Sequence, residues 1–121
     1  MPLHRVKITV LKKIDPSIIF NGDVPYRPNT DRLYTICDAL EEGDEFFVGF
    51  DREMPRGFCA SAWKSISNSL SVIQWGGDYY PNLPEGVAIT CCSDGLRPVS
   101  FKLERVEGPD TGDGEAKGSD G

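Results

Sequence analysis

The sequence predicts an α+β fold: a small, curled, mostly antiparallel sheet, barrel-like in form, covered by one principal helix. Short apolar segments separated by turn residues recur along the chain, and one segment has helical periodicity instead. The last two apolar segments flank Ser93-Asp94-Gly95, which is typical of a β-hairpin. Because a few strands alone bury too little apolar surface, the helix is expected to cover them.

The first two strands are predicted on either side of a long excursion. Residues 5–13 alternate apolar and polar side chains, as in a half-buried strand. Phe46–Phe50 is apolar on both faces, which suits a central strand or one covered by a helix. Prolines interrupt Ile14–Ile36, so this region is predicted to be a long ordered loop. It is either a lid or binding loop, or a plain surface loop.

The helix is predicted between Cys59 and Gly76-Gly77, where the glycine pair ends it. One helical face carries the apolar residues Cys59, Ala62, Trp63, Ile66, Leu70 and Ile73. An aromatic loop over 78–84 follows the glycines. This loop is a candidate surface for a homo-oligomer.

The final hairpin pairs Val87–Cys92 with Leu96–Val106. Successive side chains of a strand point to opposite faces. Cys91 shares a face with Val87 and Ile89 and is predicted to join the core, whereas Cys92 is predicted on the polar face. Pro98 cannot donate a ladder hydrogen bond, so it indicates an edge or a bulge.

The length, composition and net charge of the chain exclude some classes of function. The chain has 121 residues and a net charge of −6, which fits one domain over 1–107 and argues against nucleic-acid binding. Residues 108–121 are acidic and glycine-rich and are predicted to be a disordered tail. No apolar run reaches the roughly 18 residues of a membrane span, and no signal peptide is evident. We therefore expect a cytoplasmic protein with no membrane partner.

Several motifs together resemble a family of small uncharacterised microbial proteins. The run Cys91-Cys92-Ser93-Asp94-Gly95-Leu96-Arg97-Pro98-Val99 is similar to the Cys-Cys-Thr-Asp-Gly-Leu-Arg-Pro-Val ending of that family. The resemblance covers roughly 5–13 and 42–107, including Gly57-Phe58-Cys59 and Gly76-Gly77. The family's Cys-Pro is Cys37-Asp38 here. The family has no assigned activity, so the resemblance implies a fold and a site but no reaction.

The candidate chemistry favours a small-molecule site. Arg97 can orient an anionic group, and Asp94 or the Cys92 thiol can move a proton, so these three are the candidate catalytic residues. Aromatic and polar neighbours form a candidate pocket for a partly apolar ligand: Cys59, Trp63, Trp75, Asp78, Tyr79 and Tyr80. The function predicted is a small cofactor-free enzyme of the lyase, isomerase or cyclase type. The alternative for Trp63 is simple core packing, and for Asp94 with Arg97 it is turn chemistry.

The four cysteines leave a second function open. A non-catalytic module could bind zinc or an iron–sulfur cluster through Cys37, Cys59, Cys91 and Cys92, or sense redox state. No pair has the usual ligand spacing, and neighbouring strand residues point apart, which disfavours one shared ion. The plainest interpretation makes Cys59 and Cys91 small core hydrophobes.

Overall fold

The fold is α+β, as predicted, with one four-stranded antiparallel sheet. The computed structural model describes residues 3–79 and 81–106. The predicted tail and Tyr80 lie outside these residues. The strands are β1 (Val6–Lys13), β2 (Glu45–Val48), β3 (Val87–Cys91) and β4 (Val99–Arg105), and the helices are α1 (Pro16–Ile19), α2 (Ala60–Ser65) and α3 (Ser67–Gln74).

The sheet is open and is not closed into a barrel. Its strand order is β2-β1-β4-β3, so β2 and β3 form the two edges. The prediction of β2 as a central strand is therefore wrong, and only one of its two faces is covered. Val48 is fully buried while Phe47 on the opposite face is 40% exposed. Only one face of the sheet is covered by helices, and a short strand can place an aromatic side chain on the open face at little cost.

The single predicted helix is instead two helices separated at Ile66. Two serine hydroxyls flank this residue and bond to backbone carbonyls: Ser65 Oγ donates to the Ser61 oxygen at 3.1 Å and Ser67 Oγ to the Lys64 oxygen at 3.0 Å. Such bonds compete with the helical ladder and bend it. Ile66 itself is fully buried, so the bend keeps the apolar face on the sheet.

The core lies between this helical layer and one face of the sheet. Alternate residues of β1 and β4 point into it, as the sequence predicted, and the helices supply the other side. Its buried side chains are Val6, Ile8, Val10, Leu40, Val48, Phe58, Ala62, Ile66, Leu70, Ile73, Ala88, Val99, Phe101 and Leu103.

The predicted faces of Cys91 and Cys92 are reversed in the structure. Cys91 is exposed, whereas Cys92 is partly buried and packs against the core. The register explains the reversal, because Ala88 and Thr90 lie opposite Leu103 and Phe101, the core residues of β4. Side chains that face each other across a ladder share a face. Ile89 and Cys91 therefore lie on the open face although they are apolar.

The excursion after β1 is ordered and returns to the core at its end. Asp15 caps α1 by accepting a hydrogen bond from Ser17 N at 2.8 Å. Tyr26 and Leu33 form an isolated antiparallel bridge. Leu40 is buried in the main core, so the segment just before β2 is anchored beside α2.

A hydrogen-bonded motif ends α3 at the predicted glycine pair. Gly76 has a φ of +91°, and the amides of Gly76 and Gly77 donate to the Ile73 and Val72 oxygens at 3.3 and 2.7 Å. These two bonds are the pattern of a Schellman motif. A side chain at Gly77 would lie only 2.9 Å from Val72 Cγ1, so this position accepts no larger residue without a shift.

The Arg105 side chain ties the end of α3 to the sheet. Its Nη1 donates to the oxygens of Ile73 at 2.8 Å and Gly77 at 3.0 Å, and its Nη2 donates to Asp78 Oδ1 at 2.7 Å. Asp78 Oδ1 also accepts from Gly86 N at 2.7 Å. One arginine therefore connects α3, the following loop and the start of β3.

We expect Asp78 to make stability fall in acid. The hydrogen bond from Gly86 N, and then that from Arg105, lower the pKa of Asp78 below its usual value. In the unfolded chain the pKa of the Asp78 carboxyl is about 3.9. As the pH falls, the unfolded state therefore binds the proton before the folded state does. The stabilisation is complete above that pKa and is lost as the pH falls through the lower pKa of the folded state. Urea unfolding between pH 6 and 2 should show that the free energy of unfolding falls less steeply with decreasing pH for Asp78→Asn than for the natural chain. Parallel curves would contradict this role.

Candidate functional site

A cavity of about 210 Å³ lies between the segment before β2, α2 and the loop that joins β3 to β4. It is lined by small, aliphatic, sulfur-containing and charged side chains and by one aromatic ring. The lining residues are Cys37, Asp38, Ala39, Leu40, Cys59, Ser61, Ala62, Cys92, Asp94, Arg97, Val99 and Phe101.

The β3–β4 loop is shaped by Asp94. Its Oδ1 accepts hydrogen bonds from Leu96 N at 2.9 Å and Arg97 N at 3.2 Å, which is the local turn chemistry expected of aspartate. Ser65 fixes the loop against α2, since its Oγ is hydrogen-bonded to Ser93 Oγ at 3.0 Å and accepts from Ser93 N at 3.1 Å. Asp94 and Arg97 are thus presented to the cavity by a loop held at both sides.

Arg97 has a donor that the fold does not use. Its Nε lies 3.5 Å from Asp94 Oδ2, within ion-pair distance. Within residues 3–79 and 81–106, however, the buried Nε has no hydrogen-bond partner. A buried N–H without an acceptor costs free energy, on the order of 1–3 kcal/mol.

Three free thiols line the same cavity. Cys37, Cys59 and Cys92 come from three separate segments, and Cys92 Sγ accepts a hydrogen bond from Val99 N at 3.3 Å. Cys91 points to the open face of the sheet, so the four cysteines are not brought together. Among the described residues, no group of three or more His, Cys, Asp or Glu side chains is arranged to hold a metal ion.

The structure brings together one part of the predicted site. Cys92, Asp94, Arg97 and Cys59 meet at the cavity as expected. The described aromatic residues of the predicted wall, Trp63, Trp75 and Tyr79, do not line this cavity. Trp63 packs edge-on against Phe58, Trp75 lies under the guanidinium of Arg52, and Tyr79 donates to Ser69 Oγ at 3.4 Å. Asp78 is bonded to Arg105 and Gly86, as described above.

Sequence reasoning missed the wall formed by Cys37, Asp38 and Leu40. The sequence predicts Cys37 only as an alternative metal ligand and assigns no role to Asp38. The one pointer to this segment is the resemblance, which aligns Cys37-Asp38 with the family's Cys-Pro. Periodicity could not find this wall, because the segment is neither helix nor strand.

No protein-family model matches the chain significantly, and no curated protein or solved structure does so either. In the part of the chain that the structure describes, no helix has the length and apolar character needed to cross a membrane.

Proposed function

We propose that the protein binds a small, partly apolar molecule with a carboxylate group in this cavity, and that it is a cofactor-free enzyme of the lyase or isomerase type. The Arg97 side chain carries this proposal, because its cationic guanidinium belongs to the lining of the cavity and its buried Nε has no hydrogen-bond partner among the described residues. The family resemblance supports the same location through the motif at 91–99. Free thiols fit a reducing cytosol as the place of action.

The cavity and its charges favour a small anion. At about 210 Å³ it is smaller than the pockets of about 300–1,000 Å³ that hold drug-sized ligands. Arginine presents a planar fork of N–H donors that matches a carboxylate. Asp94 Oδ1 already accepts two backbone hydrogen bonds, which offset part of the negative charge that a second carboxylate would meet. Leu40, Val99 and Phe101 supply an apolar surface for the rest of the ligand.

Proton transfer is the chemistry that these groups can perform without a cofactor. A carboxylate or a thiolate beside a bound carboxylate can take a proton from the adjacent carbon and return it to a neighbouring atom. Cys92 and Asp94 are the groups proposed for this step, with Arg97 orienting the substrate and stabilising negative charge as it develops. Both electrons of the broken C–H bond stay with the substrate, so no oxidant or reductant is required.

The proposal predicts that ligand binding depends on Arg97. In a thermal-shift screen of small organic carboxylates, at least one should raise the melting temperature of the natural chain. Arg97→Gln should weaken its binding by about 10- to 100-fold, the usual loss for a charge-assisted contact of 1.5–3 kcal/mol. Arg32→Gln, at an exposed position away from the cavity, is the matched control and should bind normally. Equal binding by both variants would exclude Arg97 as the anion contact.

The second candidate is a cysteine-based metal-binding or redox-sensing module, and the three thiols at one cavity support its redox-sensing form. Such a module would catalyse no reaction and would bind no ligand through Arg97. If the module binds a metal, elemental analysis of the purified protein distinguishes it from the proposed enzyme. Stoichiometric zinc or iron that disappears when Cys37, Cys59 or Cys92 is replaced by serine would support the module.

A further inference from the structure

Asp38 is a second carboxylate at the cavity, and the fold leaves its charge unpaired. It lines the cavity and is itself exposed, so it stands where the cavity meets solvent. Within residues 3–79 and 81–106, no lysine or arginine lies within ion-pair distance of Asp38. The other carboxylate, Asp94, accepts hydrogen bonds from the amides of Leu96 and Arg97 and lies 3.5 Å from Arg97 Nε. Asp38 is therefore the carboxylate that can contact a ligand without giving up an ion pair.

The formal charges at the cavity do not balance. Asp38 and Asp94 contribute two negative charges and Arg97 one positive charge, and the other lining residues carry no formal charge. A ligand that brings only a carboxylate doubles this negative excess within a small space, where like charges repel. A ligand that brings an ammonium group together with its carboxylate leaves the excess unchanged. Charge complementarity therefore favours a ligand with both groups.

The unpaired carboxylate and the guanidinium lie on separate segments of the chain. Asp38 precedes β2, and Arg97 lies in the loop that joins β3 to β4. Because both line a cavity of only about 210 Å³, one small molecule can contact both. Leu40, Val99 and Phe101 line the same space and provide an apolar surface for the rest of that molecule.

We propose that the ligand of this cavity is an apolar α-amino acid, with its carboxylate on Arg97 and its ammonium group on Asp38. This inference rests on the proposed function and narrows its ligand. An α-amino acid fits because its two charged groups and its side chain all leave from one carbon, so they can reach different walls of a small cavity. The ammonium group offers three hydrogen-bond donors, and the Asp38 carboxylate offers acceptors only.

The exposure of Asp38 limits the size of the effect that its contact can have. A charge pair at an exposed position contributes little, because water and salt screen it. The ammonium group should therefore improve affinity about two- to fivefold. The contact with Arg97, whose side chain is 27% exposed, provides the larger share. The carboxylate is thus required for binding, and the ammonium group selects among carboxylates.

Amide NMR titrations of the full chain compare each amino acid with the acid that lacks its amine: alanine with propionate, valine with isovalerate, leucine with isocaproate, and phenylalanine with hydrocinnamate. For at least one pair, the amino acid should bind the natural chain about two- to fivefold more tightly than the acid. Asp38→Asn retains the shape of the side chain and should abolish this preference without weakening the acid. Asp31→Asn, at an exposed position outside the cavity lining, is the matched control and should keep the preference.

The outcomes separate this inference from the proposed function. Arg97→Gln should weaken the binding of both members of a pair. If acids bind through Arg97 but no amino acid binds more tightly than its acid, the ammonium contact is overturned and the carboxylate site stands. A preference that persists in Asp38→Asn overturns the contact in the same way. If no member of any pair binds, the amino-acid ligand is overturned, and the wider screen of carboxylates decides the proposed function.

Discussion

Replacement of Arg105 by alanine is expected to lower the free energy of unfolding by about 3 kcal/mol, from the loss of charge-assisted hydrogen bonds to backbone carbonyls. The Arg105 side chain is only 10% exposed and bonds the Ile73 and Gly77 oxygens. Alanine leaves these oxygens at the end of α3 without their donor. It also takes from Asp78 the cation that it contacts at 2.7 Å.

Urea unfolding followed by circular dichroism measures this effect. Arg105→Lys should recover only part of the loss, because an ammonium cannot match the fork that reaches two carbonyls and a carboxylate. Lys102→Ala on the same strand is the control. Lys102 forms a surface pair with Glu104, and such pairs contribute about 0–1 kcal/mol. An Arg105→Ala variant as stable as Lys102→Ala would show that the arginine does not hold α3 to the sheet.

The second large effect is expected at Gln74, the fully buried polar residue at the end of α3. Its Nε2 donates to the oxygens of His4 at 3.3 Å and Gly49 at 3.2 Å, and its Oε1 accepts from Arg52 Nε at 3.1 Å. Gln74→Leu retains similar volume but provides no partner for either carbonyl. The expected loss is about 2–4 kcal/mol, since two backbone acceptors lose their donor.

Amide hydrogen-exchange rates test the effect of Gln74→Leu locally, in addition to the free energy of unfolding. His4 N donates to the Gln74 backbone oxygen at 2.8 Å, so loosening of the N-terminal segment should speed exchange at His4 and in the turn after β2. Asn68→Leu, at an exposed position of the same helix, should change neither quantity. Unchanged stability for Gln74→Leu would mean that the carbonyls find other partners.

Local pattern predicted most of the elements and the buried faces of β1 and β4, but not the buried face of β3. Alternation identified β1, β4 and the hairpin, and the glycine pair identified the end of α3. The face of β3 was assigned from the apolar character of Ile89 and Cys91, and this was wrong. Ala88 and Thr90 face the core because they lie opposite Leu103 and Phe101. That fact depends on register, which composition does not reveal.

The candidate site was predictable where one motif carried it. Cys92, Asp94 and Arg97 lie close in sequence, and the turn brings them to one cavity. The opposite wall, with Cys37 and Asp38, comes from a non-repetitive segment whose position depends on the burial of Leu40. Periodicity also could not show the roles of Arg105 and Gln74, because a charged residue in a strand and a polar residue in a helix both resemble solvent-facing positions.

The most direct test of the proposed function is a crystal structure of the natural chain with a carboxylate identified by the thermal-shift screen. We expect the ligand's carboxylate within hydrogen-bond distance of the Arg97 guanidinium, with its apolar part against Phe101 and its reacting carbon near Cys92 or Asp94. A ligand bound elsewhere, or one in the cavity whose acidic group points away from Arg97, would contradict it.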